Sequence, residues 1–196
     1  MSTAEIVATR PNPRDHILDT ALRLMSERGA KGMTMRQLAS ACDLQVAAIY
    51  HYFESKDALL AAVVAERQYG SRMTDDIPFD PDASGPDRMR ALFLHVWHGA
   101  LQEQQIWRLL ISEGMHGEAA VLPVGSALLD LLEPATTGWV RRILPEVEDP
   151  GAVARLMVGQ LLLGFVRHVF GPEEDTSTIG DECVAPVIDV AFGSGS

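Results

Sequence analysis

The chain has 196 residues, 47% of them hydrophobic and 22% charged, and its formal net charge is −11. That length and apolar content suit one compact core with a small appended domain, and the acid excess excludes a protein that coats nucleic acid through bulk charge. The excess is uneven: residues 1–56 hold seven Lys/Arg against six Asp/Glu, and residues 57–196 hold nine against twenty-one.

Residues 1–12 are polar and read as a flexible arm. Asn12 and Pro13 start a first helix whose apolar face is Ile17, Leu18, Ala21, Leu22, Leu24 and Met25, and Gly29 stops it. Thr34 with Gln37 forms a capping box, in which the hydroxyl accepts from an orphan amide and the glutamine side chain reaches back. Met33 and Leu38 take the staple positions around it, and Leu38, Ala39 and Cys42 give the inward stripe. Cys42 is therefore read as a buried structural thiol, and its distance from Cys183 argues against a metal pair. Asp43 stands where the chain must turn sharply, and Asp tolerates the left-handed conformation. Gln45 to His51 then form a second short helix with Ala48 and Ile49 inward, and Ser55 caps a third. Two short helices joined by a tight turn are a device for laying one of them in the DNA major groove.

The helix from Ser55 runs through Leu59, Leu60, Val63 and Val64 towards Gly70, and residues 71–86 read as a loop rich in Asp, Pro and Gly. Beyond it the periodicity is helical throughout. Helices are expected over Asp87 to Gln104, Ile106 to Ser112, Glu118 to Leu144 (limited or kinked by Pro123, Gly125, Pro134 and Gly138), Gly151 to Phe170 and Ile179 to Phe192 (weakened by Pro186). The expected fold is all-α: an N-terminal three-helix domain with a helix-turn-helix, residues 1–56, and a C-terminal helical domain, residues 57–196.

The stretch from 14 to 60 also resembles the DNA-binding domain of the tetracycline-repressor (TetR) family of bacterial regulators. Ile17, Ala21, Leu24, Gly29, Thr34, Leu38, Ala39, Leu44, Ile49, Tyr50, Tyr52, Phe53, Lys56 and Leu59 carry the likeness. Asp43 where Gly is usual, Gln45 where Ser is usual, and Ala47-Ala48 where Gly-Thr is frequent depart from it, which bears on the operator read. The resemblance implies a repressor with double-stranded operator DNA and a homodimer as partners, and makes residues 57–196 a helical ligand-binding and dimerisation domain in which an unknown small-molecule effector releases the DNA; the three tryptophans there tilt that effector towards a lipophilic one. A helical module with weak or lost operator affinity is the alternative.

For DNA contact the candidates are Thr34, Arg36, Gln45, Val46, Ala47, Tyr50, His51, Tyr52 and Lys56. Gln45 can bond adenine, Val46 and Ala47 can touch a thymine methyl, and Arg36 suits guanine or phosphate. The family's equivalents of Tyr50, Tyr52 and Lys56 touch the sugar-phosphate backbone. A pocket is expected from Phe93, Trp97, Trp107, Leu110, Met115, Trp139, Met157 and Phe165, although such residues are more often plain core. Ala152 to Phe170 is apolar nearly all round, which suggests burial against a second subunit through Leu156, Gly159, Leu163, Gly164 and Arg167, with Val187 from the last helix.

His95, His98, Glu113 and His116 form two ligand-spaced pairs without a third, and neither a metal nor a cofactor is expected. No nucleophile with a base or phosphate loop suggests an enzyme. Arg155, Gln160, Arg167 and His168 interrupt the longest apolar run, which argues against a membrane span. No secretory signal is visible, and a cytoplasmic protein is expected.

Overall fold

The computed structural model describes residues 12–67, 77–171 and 175–193. Its elements are all helices: α1 (Pro13–Gly32), α2 (Met35–Ala41), α3 (Val46–Tyr52), α4 (Lys56–Glu66), α5 (Gly85–Gln102), α6 (Gln104–Met115), α7 (Leu122–Ile143), α8 (Pro150–Phe170) and α9 (Thr176–Phe192). Two compact units emerge: residues 1–68 with 105–124, and residues 69–104 with 125–196.

In the first unit, Ile17, Leu18, Ala21 and Met25 of α1 are fully buried with Leu38, Ile49, Leu59 and Val63 from the three following helices. The Asn12 side chain accepts from the amide of Arg14, and Pro13 follows at the position where a missing N–H costs nothing. Gly29 does break α1 as expected, at φ 74° and ψ 156°, but a last helical turn resumes through Gly32. The capping box forms in both directions: Gln37 N–H donates to Thr34 Oγ1 at 3.2 Å, and Thr34 N–H donates to Gln37 Oε1 at 2.9 Å. Asp43 takes the left-handed conformation, φ 55°, and so lets α3 leave α2 at a sharp angle.

Ion pairs hold α4 along α1. Arg14 forks onto both carboxylate oxygens of Glu66, and its guanidinium lies 5.2 Å from the Phe53 ring centroid. Arg67 reaches Asp19 at 2.6 Å and Asp15 at 3.1 Å. The hydrogen bond from Arg14 holds the Glu66 carboxyl below its ordinary range, an exposed pair of small energetic weight. Burial pushes the Cys42 thiol up, in keeping with an inert core position.

In the second unit, α5, α8 and α9 pack together. Trp97 sits at their centre, 1% exposed, and its indole N–H donates to the Thr176 carbonyl at 2.8 Å. Close approach explains two glycines here. A Cβ on Gly180 would lie 2.8 Å from both Leu94 and Trp97, and one on Gly164 would lie 3.2 Å from Trp97 and from Cys183 Sγ. Pro134 and Pro186 lie inside α7 and α9, and each helix runs on past its proline. The α7 start does shift, to Leu122, because turns occupy residues 116–121. Helix α5 begins two residues earlier than the sequence suggests, where Ser84 caps it and Pro86 falls in its first turn.

By length and composition α8 is apolar enough to cross a membrane. It nonetheless carries Arg155 and Arg167, paired at 2.8 Å with Glu133 and Glu182, and its Val153, Ala154, Met157 and Phe165 are buried within the unit.

The turn at Asp43 gives a direct test. Asp43→Val should lower the unfolding free energy by about 1–2 kcal/mol, since a β-branched side chain strains a positive φ. Denaturant melts of the two proteins measure it, and coincident midpoints would contradict the turn geometry.

Candidate DNA-binding surface

The second helix of the motif is short because its end is defined on both sides. Phe53 leaves the helix at φ −138° with its N–H still on the Ile49 carbonyl, and its ring is buried. Ile49 is fully buried, which fixes the rotation of α3 and turns Ala47, Tyr50 and His51 outward. Gln45 is the N-cap, but its side chain makes no capping bond, so its amide is left for another partner. Val46 is half-buried.

Tyr50 and Tyr52 are 49% and 39% exposed, large values for tyrosine near a core. His51 is exposed and stands edge-on to Tyr52 at 5.4 Å. Arg36, in the first turn of α2, is exposed, and no hydrogen bond or ion pair engages it among the described residues. Thr34 is exposed too, although its hydroxyl is occupied by the capping box.

Lys56 differs from the sequence expectation. Its ammonium donates to the Lys31 and Met33 carbonyls, each at 3.2 Å, so two of its three donors hold the α1–α2 link to the start of α4. Arg14, in the first turn of α1, is likewise held by its ion pair with Glu66.

Several groups singled out further along the chain separate. Phe93, Trp97, Trp139, Met157 and Phe165 are buried in the second unit. Leu110 is buried on α6, Trp107 half-buried, and Met115 is 84% exposed. Met115 therefore does not line an enclosed pocket: α6 ends at this residue, and no element of its own unit covers it. A groove of about 620 Å³ instead opens along α7, lined by Leu129, Asp130, Glu133, Pro134, Thr137, Gly138, Arg141 and Gly151. None of the expected pocket residues borders it. Its sequence signal is the loss of bulk at Gly138 and Gly151 beside Pro134.

On α8, Gly159 and Leu163 are exposed and Leu156 and Arg167 half-buried. Gly164 and Val187 are buried inside the unit, so these two serve intrachain packing. His95 and His98 are exposed, and His116 bonds the Ser112 carbonyl at 2.7 Å. Glu113 is buried and accepts from the Ala30 amide.

A sequence model of the bacterial regulatory proteins of the tetR family matches residues 17–63. An HTH-type transcriptional regulator in the dhlA 5′ region of Xanthobacter autotrophicus is 33% identical, over 73% of this chain and 80% of its own. The chain belongs to the TetR family of transcriptional regulators. A TetR/AcrR-type regulator from Aquifex aeolicus shares the fold with a TM-score of 0.69 at 12% identity, over 91% of this chain and 99% of its own. AibR, whose structure was solved with isovaleryl coenzyme A and operator DNA, aligns with a TM-score of 0.58 at 24% identity, over 88% and 96%. This TetR-family protein is a helix-turn-helix regulator and not an enzyme.

The geometry separates two roles that the motif alone merges. Arg36→Ala should weaken operator binding and reduce the log–log salt slope by about 0.9, the loss of one displaced counterion. Lys56→Met should lower the melting temperature and weaken binding with the slope retained. Fluorescence anisotropy across a salt series reads both, and the opposite assignment of slopes would reverse the two roles.

Proposed function

We propose that this TetR-family regulator is a homodimeric repressor that leaves its operator when a small lipophilic molecule binds its helical C-terminal part. The observation that carries the DNA half is the outward row of Gln45, Ala47, Tyr50 and His51 on a helix whose rotation is locked by Ile49. Gln45, Val46 and Ala47 read bases; Thr34, Arg36, Tyr50, His51 and Tyr52 orient the domain on the duplex, and Lys56 acts chiefly from within.

A stripe of exposed apolar side chains supports the dimer. Leu162, Leu163, Val166 and Phe170 follow Gly159 along α8, and Val190 adds to it from α9; Phe170 is 84% exposed. A monomer rarely leaves so many large apolar groups in water. The proposed interface therefore comprises Gly159, Leu162, Leu163, Val166 and Phe170, with Leu156 and Arg167 at its edge. A twofold pair also suits a short reading helix, which needs a mate about 34 Å away on the duplex.

The apolar interior around Phe93, Trp97, Trp139, Met157 and Phe165 supports a lipophilic effector. AibR binds an acyl coenzyme A, which makes that compound class the first probe for this chain. Soluble, cytoplasmic action follows from the same reading.

Two measurements test it. Sedimentation should give a dimer that Leu163→Glu with Phe170→Glu converts to monomer, with loss of binding to duplexes selected from a random pool. Adding isovaleryl or stearoyl coenzyme A to the wild-type complex should release the DNA. A wild-type monomer would sink the dimer, and wild-type protein that selects no sequence would leave a ligand-binding module without an operator.

A further inference from the structure

Glu113 is the one charged side chain among the buried residues described, 3% exposed, and it lies on α6, far along the chain from the reader. Its Oε1 accepts the Ala30 N–H at 2.8 Å across a sequence separation of 83 residues. A buried carboxylate is costly unless its oxygens are satisfied, so a lone contact of this kind marks a specific structural demand.

The demand is visible at Gly29. The positive φ there interrupts the α1 ladder and begins a new helical turn, whose first amide is that of Ala30. The space beside Gly29 is taken by the same carboxylate: a Cβ would lie 3.4 Å from Glu113 Oε1. Four residues after Ala30 the chain enters the capping box of α2 at Thr34. Lys56 holds this short segment from the other side through the Lys31 and Met33 carbonyls. Residues 30–33 are thus fixed by a carboxylate at one end and an ammonium at the other, and both ends determine where Thr34 starts α2.

We propose that Glu113 is a positioning residue for operator binding: its bond to Ala30 sets the direction in which the α1–α2 link delivers the helix-turn-helix. The idea rests on the reading of this chain as an operator binder. It touches no DNA, since it is buried, and acts through residues 30–34 alone. Its loss leaves the phosphate contacts in number unchanged and misaligns them.

The test compares Glu113→Ala and Glu113→Gln with the wild type on a duplex selected by the wild-type protein. Glutamine keeps an oxygen that accepts the Ala30 N–H; alanine does not. Glu113→Ala should weaken operator affinity on the order of tenfold, because the released link must be re-ordered when the motif docks. Its salt slope and its affinity for unrelated duplex should stay near wild type, and Glu113→Gln should restore much of the loss. Hydrogen exchange in the absence of DNA provides an independent reading: Ala30 and the Met33–Gln37 amides should exchange faster in Glu113→Ala only, with the α4 amides unchanged.

Equal operator affinity in all three proteins would overturn the proposal. So would a Glu113→Ala loss matched by global unfolding in the exchange data, which would make the carboxylate an ordinary core element. A wild-type protein without any selected operator would instead overturn the operator reading, and this inference with it, whereas failure of the alanine variant alone to lose affinity leaves that reading standing.

Discussion

The direction of the reading motif depends on how four residues, Ala30 to Met33, join α1 to α2. A helix that ran on past Gly29 would carry Met33 away from the core, where it is 1% exposed. The break at Gly29 prevents that, and the capping box at Thr34 restarts the chain with its orphan amides satisfied. Lys56 is the strap across the gap. It makes a residue that looks like a phosphate contact part of the frame as well, with its charged amine on two backbone carbonyls. The outward tilt of Gln45, Ala47 and Tyr50 then follows from Ile49, Phe53 and the left-handed Asp43.

The second unit is organised by one tryptophan. Trp97 is too large to be buried among three helices unless their backbones open a slot, and Gly164 and Gly180 provide it from α8 and α9. That arrangement turns one face of α8 inward and leaves Leu162, Leu163, Val166 and Phe170 outward. The helix therefore looks apolar all round in sequence for two different reasons, an intrachain one and, on the proposed reading, an intermolecular one.

Local chemistry was legible in the sequence wherever it acts within a few residues. The capping box, the Asp43 turn, the Gly29 break and the buried Cys42 are all short-range, and each is where the pattern puts it. The family followed from the aromatic ending at Tyr50 to Phe53. Contacts between distant residues were not legible. Nothing around Lys56 signals the Lys31 carbonyl, and Glu113 sits among His-bearing residues that suggest a charge facing water or a ligand. Pro134 does not end α7: the lost bond is tolerated on an exposed stretch, where the freed carbonyl can meet solvent. Gly159 and Gly164 looked equivalent, and only the packing tells that the second is filled by Trp97.

The charge economy of the reader has a consequence for how such a molecule searches a chromosome. With Arg14 and Lys56 tied internally, Arg36 remains as an exposed cation within the motif, and residues 57–196 are strongly acidic. Random sequence then offers it little foothold. On the proposed reading few copies would be held on irrelevant sequence, so a small pool would suffice to find the site and would be promptly available when that site is vacated.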